Sequence, residues 1–528
     1  MPLRLYNTLT NAVEPFFPGR TAAAASLPFT PTITFYSCGP TVYDYAHIGN
    51  FRSFLNADLL RRWIESPLCH GGHRVRQVMN ITDVGHMTDP DAGGDAADGA
   101  GEDRMEVARK RLLEQKKSGA LPADANIDPS DPYAIADFYA DAFIRDARTL
   151  GLRIIDDFDR DPSCMPRPTR YIRPMLEMIE TLIERGHAYI ASDGVAYFNT
   201  QSFPDYGRLS GNTIEKIRSG AGGRVSDSTQ QIKKHPADFM LWKPDPSHLM
   251  RWNPSQVLGR PSPLKEGYPG WHIECSVMAE QLLGNVIDLH SGGEDNIFPH
   301  HECEIAQSCC AHGTEQFARV WFHTRFLMVE GAKMSKSKGN FYTLRDLLGK
   351  GFEPGAIRLE LIKTHYRSNS NFTEQGLKDS QRMIERWRRF MNASSAGSEP
   401  TGEPSAAREE ARQAFTDALN DDLNVAGAIA AINIFINGVP APSADDAALM
   451  RTFDDVLGVL SLAGAPVAVA SGDTDESARI DALVAARTAA RAAKDWPEAD
   501  RLRKELDALR VVVTDTPQGP TWSRKVGL

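Results

Sequence analysis

The succession of apolar and polar positions predicts an α/β domain at the start of the chain. A β-branched and aromatic run covers 32–38 and stops at Gly39 and Pro40, as a strand stops at a turn. Apolar residues then recur with helical spacing over 51–64, and a second apolar run covers 75–81. Strand, helix and strand in this order open a doubly wound, Rossmann-like parallel sheet.

Between about 161 and 263 the pattern changes, and we predict an insertion that splits this domain. Short apolar runs within 187–198 surround Asp193 and Gly194, which predicts a hairpin, and another strand is predicted at 238–243. The α/β pattern then returns. We predict strands at 271–275, 286–290 and 320–328, and helices that run up to Leu283 and begin near Pro299.

The remaining pattern is mostly helical. Residues 83–130 form an acidic segment whose first part has the low hydrophobicity of a mobile loop. Polar linkers near 393–404 and 466–475 separate the last helices. Predicted helices cover 104–117, 132–150, 169–186, 353–363, 374–391, 405–438, 443–463 and 476–510, and a small strand covers 511–513.

Composition narrows the class of protein. Hydrophobic residues make up 41% and charged residues 24% of 528 positions, and no run of 18 apolar residues predicts a membrane span. The start, residues 1–6, lacks a signal-peptide pattern, so we expect a cytoplasmic protein. Seven cysteines are too few for a disulfide scaffold. The net charge of −10 argues against nucleic-acid binding by the whole surface, but leaves room for a local basic face.

Cysteine, histidine and glutamate positions suggest a metal site. His300 and Glu304 lie four apart on one predicted helix and share a face. Cys38 and Cys275 each end a predicted strand, and the carboxyl ends of parallel strands converge on one crevice. These four residues carry zinc-ligand atoms. Buried cysteines are equally typical of a hydrophobic core, and the competing candidates are His301, Cys303, Cys309 and Cys310.

A phosphate site is suggested by two other stretches. His47 and Asn50 lie at a predicted helix start, where free N–H groups and the helix dipole favour phosphate. Residues 331–340, which we call the lysine loop, contain three lysines and two serines within six positions, flanked by glycines. Lys333 and Lys336 could reach a triphosphate from the opposite side, whereas the alternative is a solvated surface loop.

A nucleic-acid face is suggested by the basic helix that carries Trp387 and by the late helix within 476–510. The first set of cations is Arg382, Arg386, Arg388 and Arg389. The second set is interleaved with acidic residues, so a solvated helix with internal ion pairs explains it equally well.

The motifs together resemble those of cysteinyl-tRNA synthetases, a family of class I aminoacyl-tRNA synthetases. Residues 46–50, Ala-His-Ile-Gly-Asn, are similar to the first class I signature, and 333–337, Lys-Met-Ser-Lys-Ser, match the second. The resemblance extends over nearly the whole chain. Narrower motifs of the family are matched by 38–44, 80–83, 270–276, 298–308, 492–500 and 517–522.

This resemblance implies the chemistry of the site. It implies one zinc ion per chain that takes the substrate thiolate and so rejects serine without an editing domain. It also implies Mg²⁺ bound with ATP, and charge stabilisation at the phosphates. The implied metal ligands are Cys38, Cys275, His300 and Glu304. The implied catalytic residues are His47, Asn50, Lys333 and Lys336, of which His47, Asn50 and Lys336 bind ATP. The implied cysteine contacts are Gly39, Thr41, Thr82, Trp271 and His290.

The implied substrates are ATP, L-cysteine and a cysteine tRNA, used by a monomer without a membrane partner. Cysteinyl-adenylate would form first, and a terminal ribose hydroxyl of the tRNA would then attack it. The implied domains are the first half of the catalytic domain (1–160, with the acidic loop 83–130), the connective insertion (161–263), the second half (264–328), the lysine loop and stem-contact helices (329–395), a helical bundle (405–465) and an anticodon-binding domain (475–528).

The sequence departs from the family twice. Asn50 replaces the usual second histidine of the first signature, and it can donate a hydrogen bond but cannot be cationic. The acidic segment 83–130 is longer than the family requires.

Two alternative functions stay open. The first is a ligase that joins cysteine to an amino sugar, as in mycothiol synthesis, and residues 405–528 argue against it. The second is a non-catalytic RNA-binding relative, and the intact lysine loop argues against it.

Overall fold

A computed structural model shows the arrangement of most of the chain. The described residues are 2–16, 32–85, 87–89, 94–95, 102–118, 127–212, 232–334, 340–394, 402, 405–462, 474–492, 495–508, 511–516 and 519–524. Across these ranges, no helix combines the length and the apolar character that crossing a membrane requires.

Four parallel strands form the central sheet, in the order Ala318–Thr324, Ile287–Gly293, Ile33–Ser37 and Val75–Met79. The helix Ile48–Glu65 joins the last two of these strands. Each half of the sheet thus grows outward from one of the two middle strands. This topology confirms the doubly wound fold, and it places a ligand crevice at the carboxyl ends of the middle strands.

Helices surround the sheet and continue beyond it. The helix Ile48–Glu65 is buried along most of its length, including its tryptophan Trp63. The α-helices are Ile48–Glu65, Arg104–Ser118, Pro132–Thr149, Ile154–Arg160, Ile172–Glu184, Pro254–Leu258, Trp271–Leu283, Glu302–His312, Leu344–Gly349, Pro354–Ile362, Glu374–Ser394, Ala406–Asn420, Val425–Gly438, Ala444–Leu457, Thr474–Ala492 and Trp496–Ala508. A π-helical segment, Ile297–His301, precedes Glu302–His312.

The insertion forms its own antiparallel sheet. Its strands are Ala188–Ile190, Ala196–Phe198, Phe239–Pro244 and Gly267–Pro269. The first two confirm the predicted hairpin. The core of the insertion includes Ile273 and Val277 of one sheet-covering helix and Ala306 of the other, so the insertion packs on the helices that carry the predicted metal ligands.

The predicted strand at 271–275 is wrong. Trp271–Leu283 is a single helix with Gly270 as its N-cap, so Cys275 lies in the second helical turn. The apolar residues at 271, 273 and 275 alternate with His272 and Glu274, as in a strand, but five residues are too few to decide, and Ile273 and Val277 have helical spacing. Cys275 therefore approaches the crevice from a helix start.

The C-terminal region is helical, as predicted, but the helix predicted at 476–510 is two helices. The second, Trp496–Ala508, begins where Asp495 Oδ1 accepts a hydrogen bond from the Glu498 N–H at 3.2 Å. An acidic N-cap and a proline at position 497 are both helix-start signals. The predicted strand at 511–513 is part of the hairpin Val511–Thr516 and Gly519–Arg524.

A short N-terminal hairpin, Arg4–Asn7 with Ala12–Pro15, was not predicted. Its turn lies on the edge strand Ala318–Thr324, where the Thr8 N–H donates to the Trp321 carbonyl at 3.0 Å. On its other side, the Tyr6 N–H donates to Asp422 Oδ1 at 2.8 Å. The hairpin therefore joins the central sheet to the C-terminal helices.

A buried ion cluster makes a second connection between these regions. Asp58 Oδ2 lies 2.5 Å from Arg358 Nη2 and 2.7 Å from Arg62 Nε. Arg358 also donates to the Leu457 carbonyl at 2.7 Å. Burial alone would raise the pKa of Asp58, but Arg62 and Arg358 hold it well below its ordinary value. The carboxylate is therefore ionised in the folded protein.

Candidate active site

The helix Ile48–Glu65 begins at the first signature. The His47 Nδ1 accepts a hydrogen bond from the Asn50 N–H at 3.2 Å, and Asn50 Oδ1 accepts one from the His47 N–H at 3.1 Å. This reciprocal pair is a capping box, which gives Asn50 a structural role at the helix start. Because Nδ1 is an acceptor, a neutral His47 carries its proton on Nε2.

Both described ends of the lysine loop lie at this helix start. A Cβ on Gly49 would lie 3.0 Å from Met334 Cε, and the Ile48 N–H donates to the Tyr342 carbonyl at 3.0 Å. Lys333 is exposed, with its Nζ 5.7 Å from the centre of the Phe326 ring. Lys336 lies outside the described residues.

The structure brings all four predicted metal ligands together. Ligand atoms of Cys38, Cys275, His300 and Glu304 lie within 4.8 Å of one another, and all four side chains are buried. His300 Nε2 is 2.9 Å from Glu304 Oε1. The two residues come from consecutive turns at the start of the helical segment 297–312, as their spacing predicted.

A second donor group shares two of these residues. It consists of Cys38, Glu304, His290 and His301, again within 4.8 Å. His290 Nε2 lies 2.9 Å from Glu304 Oε2, and His301 Nε2 lies 3.2 Å from Cys38 Sγ. The predicted cysteine contact His290 and the rival ligand His301 therefore both lie beside the predicted metal ligands.

Charges within the cluster favour the deprotonated forms of Glu304 and Cys275, which are the forms that bind a metal. Burial raises the pKa of Glu304, but His290 and His300 outweigh burial and lower it to about 2. Burial also opposes ionisation of Cys275, yet its hydrogen bond with Cys38 and the nearby His300 lower its pKa to about 6. A carboxylate and one thiolate are therefore present at neutral pH.

The other cysteine candidates lie elsewhere. Cys303 Sγ is 3.5 Å from the Tyr206 hydroxyl, in the core of the insertion. Among the residues that the structure describes, Cys303, Cys309 and Cys310 belong to neither donor group. Cys303 follows His300 by three residues, but its sulfur lies against the Tyr206 hydroxyl and not in either donor group.

The predicted cysteine contacts surround the cluster. Trp271 stacks on the His300 ring, with centroids 4.1 Å apart. Gly39 has no room for a side chain, because a Cβ there would lie 1.7 Å from the Asn80 carbonyl oxygen. Thr41 pairs with Thr82 in an isolated bridge after the two neighbouring strands. Of these residues, Trp271 contacts a predicted metal ligand and Gly39 directly follows another, Cys38.

Comparison with known proteins now decides the family. Residues 28–382 match the family model of the class I (C) tRNA synthetase catalytic domain, and 473–522 match that of the cysteinyl-tRNA ligase anticodon-binding domain. The cysteine–tRNA ligase of Salinibacter ruber is 41% identical over 99% of this chain and 98% of its own. That of Chlorobaculum tepidum is 37% identical over 99% of each chain.

The chain belongs to the cysteinyl-tRNA synthetase family. It is therefore a class I aminoacyl-tRNA synthetase, and within that class it is an enzyme that joins cysteine to tRNA at the expense of ATP. The fold agrees, because the chain resembles the LeuRS of a ternary LeuRS–tRNA–LeuAMS complex from Agrobacterium radiobacter K84. That likeness has a TM-score of 0.54 at 13% identity and covers 84% of this chain and 86% of the other.

For a tRNA synthetase, the basic helix Glu374–Ser394 offers fewer cations to RNA than its sequence suggested. Arg382 pairs with Asp379, Arg386 donates to Asn437, and Arg388 pairs with Glu353. Trp387 is fully buried, whereas Arg389 is exposed. On the late helix Trp496–Ala508, Arg501 pairs with Glu498 and Glu505, which favours the solvated-helix interpretation there.

Three residues near this synthetase's cluster were not predicted. His272 and His323 contact histidines of the cluster, and Thr8 contacts His323. His272 Nδ1 lies 3.0 Å from His300 Nδ1, and His323 Nε2 lies 2.7 Å from His301 Nδ1. One signal was available for His323. It lies two residues after Trp321 on the same strand, so the two side chains share a face.

Proposed function

We propose that the chain forms cysteinyl-adenylate and transfers cysteine to a cysteine tRNA, with one zinc ion held by Cys38, Cys275, His300 and Glu304. The group of four buried donor atoms within 4.8 Å carries this proposal. Two thiolates, an imidazole and a carboxylate are all zinc ligands, and the lowered pKa of Cys275 suits a ligand that must be deprotonated.

Zinc bound there would supply a soft Lewis acid that takes the substrate thiolate far better than a serine hydroxyl. The residues around it would limit what enters. Trp271 forms one wall through its stacking on His300, and Gly39 lets the backbone beside Cys38 pack closely against Asn80. Such walls alone separate similar small side chains poorly, so selectivity by the metal is the more effective device.

His290 is proposed to contact the substrate rather than the metal. Its Nε2 lies 2.9 Å from Glu304 Oε2, which orients the carboxylate. Its Nδ1 is buried and has no hydrogen-bond partner within the described residues. A ligand group that donates a hydrogen bond would satisfy this atom. Thr41 and Thr82 are proposed to shape the same pocket, from the segments that follow the neighbouring strands Ile33–Ser37 and Val75–Met79.

ATP, together with its Mg²⁺, is proposed to lie at the start of the helix Ile48–Glu65. The geometry there supports this role, because the capping box uses only the acceptor atoms of the two side chains, His47 Nδ1 and Asn50 Oδ1. These two side chains, with Lys333 and Lys336, would stabilise the charge that spreads over the phosphates as the cysteine carboxylate attacks. A positioned charge is sufficient, since this transfer needs no general base at the phosphorus.

We further propose that the enzyme acts as a monomer in the cytoplasm. All seven cysteines are free, which suits a reducing compartment. The match at 473–522 supports tRNA, rather than an amino sugar, as the acceptor of cysteine. The match of 28–382 to a catalytic-domain model and the two ends of the lysine loop at the start of the helix Ile48–Glu65 argue against a non-catalytic RNA-binding relative.

Two assays on zinc-replete protein test the proposal. Cysteine-dependent exchange of labelled pyrophosphate into ATP measures adenylate formation, and charging of a cysteine tRNA measures transfer. We expect both activities with cysteine, and no exchange when serine replaces cysteine in the assay. Exchange without charging, but with transfer of cysteine to an amino sugar, would support the amino-sugar ligase. Absence of both activities would contradict the proposed function.

Replacing Lys336 by alanine is expected to slow cysteine-dependent exchange by about 10²–10³-fold, because the transition state loses one of its cations. Binding of tRNA should change little. Lys378→Ala is the control, since Lys378 pairs with Glu374 on the surface of another helix. An equal loss of exchange and of tRNA binding in K336A would mean that the loop is structural.

A further inference from the structure

A chain of hydrogen bonds runs from the N-terminal hairpin to the metal cluster. Thr8 Oγ1 lies 2.8 Å from His323 Nδ1, and His323 Nε2 lies 2.7 Å from His301 Nδ1. His301 Nε2 lies 3.2 Å from Cys38 Sγ. All four residues are buried, and none of them is more than 8% exposed. Solvent therefore has little access to any link.

The direction of this chain follows from its last member. A cysteine that ligates zinc is a thiolate, which only accepts hydrogen bonds, so the His301 Nε2–H must donate to it. The neutral His301 then accepts at Nδ1 from the His323 Nε2–H, and His323 in turn accepts at Nδ1. The Thr8 hydroxyl must donate. Burial, reinforced by His290, lowers the pKa of His323 to about 3, which keeps that ring neutral.

The hairpin holds Thr8 firmly in this position. Asn7 Oδ1 accepts from the Trp321 N–H at 3.1 Å, and the Asn7 amide donates to the Arg319 carbonyl at 3.0 Å. The Thr8 N–H donates to the Trp321 carbonyl, so the turn forms hydrogen bonds with both the N–H and the carbonyl of Trp321 on the edge strand. The strand that carries Trp321 also carries His323, so the hydroxyl and its acceptor belong to one rigid unit.

We propose that Thr8 is a positioning residue for the zinc ligand Cys38, acting through His323 and His301. This inference rests on the zinc of the proposed function. The Thr8 hydroxyl fixes both imidazoles in the tautomers that point a donor at the thiolate. Such outer partners orient a ligand and tune the metal that it holds. Without the hydroxyl, His323 Nδ1 is left as a buried acceptor without a donor, and either ring can turn or change tautomer.

The test compares three variants of the full chain. Thr8→Val removes the hydroxyl at nearly constant shape, and Thr8→Ser restores it. Thr10→Val alters the same turn outside the chain of bonds, since the Thr10 hydroxyl donates to the Asn7 carbonyl at 3.4 Å. Zinc affinity is measured by competition with a chelator. The cobalt-substituted proteins are compared by their sulfur-to-cobalt absorption bands, which report on the thiolate ligands.

We expect T8V to bind zinc about 10–100-fold more weakly and to shift the cobalt band, whereas T8S and T10V resemble the unmodified protein. Unchanged zinc affinity and an unchanged spectrum in T8V would overturn the inference while leaving the zinc proposal intact. Failure of T8S to restore affinity would also overturn it, because the loss would then come from packing. Absence of zinc binding in the unmodified protein would overturn the metal proposal itself, and this inference with it.

Discussion

Replacing Cys275 by serine is expected to remove most of the bound zinc and to lower cysteine-dependent pyrophosphate exchange by more than about 100-fold. The loss of an outer-sphere partner costs a metal site 10–100-fold, and the loss of a ligand should exceed that. Serine is close in size to cysteine, but its hydroxyl is a poor zinc ligand at neutral pH. Zinc content by elemental analysis and the exchange rate are the two measurements.

Cys303→Ser is the matched control for this experiment. Cys303 is as fully buried as Cys275 and lies on the neighbouring helix, but its sulfur faces the Tyr206 hydroxyl in the insertion. The control should keep one zinc per chain. If C275S retains its zinc and C303S loses it, the ligand assignment is wrong and Cys303 takes the place of Cys275.

Replacing Asp58 by alanine is expected to destabilise the protein by about 3–5 kcal/mol, because Arg358 would remain buried without its counter-ion. Arg358 is fully buried and lies 2.5 Å from the Asp58 carboxylate. Urea denaturation, followed by fluorescence and by loss of exchange activity, measures the change. Asp159→Ala is the control, since Asp159 pairs with Arg148 on the surface and should leave the midpoint unchanged.

The same carboxylate predicts a pH dependence. Its pKa in the folded protein is depressed below the value of about 3.9 in the unfolded chain. Its contribution to stability is therefore complete above about pH 4, and it is lost as the pH falls through the folded pKa. In acid, D58A should lose less stability than the unmodified protein. Parallel loss in both proteins would show that Asp58 is not a source of the acid sensitivity.

Much of the fold could be predicted because its signals are local. The helix Ile48–Glu65 and its flanking strands follow from periodicity, and the spacing of His300 and Glu304 predicted a contact that measures 2.9 Å. Cys275 shows the limit. The short alternation of apolar and polar residues at 271–275 fits a strand, but these residues form a helix whose Ile273 and Val277 pack in the core of the insertion.

Other features depend on contacts between distant residues, which leave little trace in local pattern. The hairpin at 4–15 is stabilised by Trp321 and Asp422, each more than 300 positions away. His301 could be named as a rival ligand, but its link to His323 could not, because strand and helix meet only in the folded sheet. The capping role of Asn50 could have been found, since an amide three residues after an N-cap is a local signal.

The N-terminal hairpin has a consequence for how the enzyme is made. Tyr6 leaves the ribosome 416 residues before its partner Asp422, and Thr8 leaves it 313 residues before Trp321. At about 5–20 residues per second, the hairpin must wait roughly 20–80 seconds for the last of these partners. Its docking is therefore a late step of very high contact order. Nascent chains arrested before Asp422 should hold an unfinished active centre, and activity should appear only after the C-terminal helices have emerged.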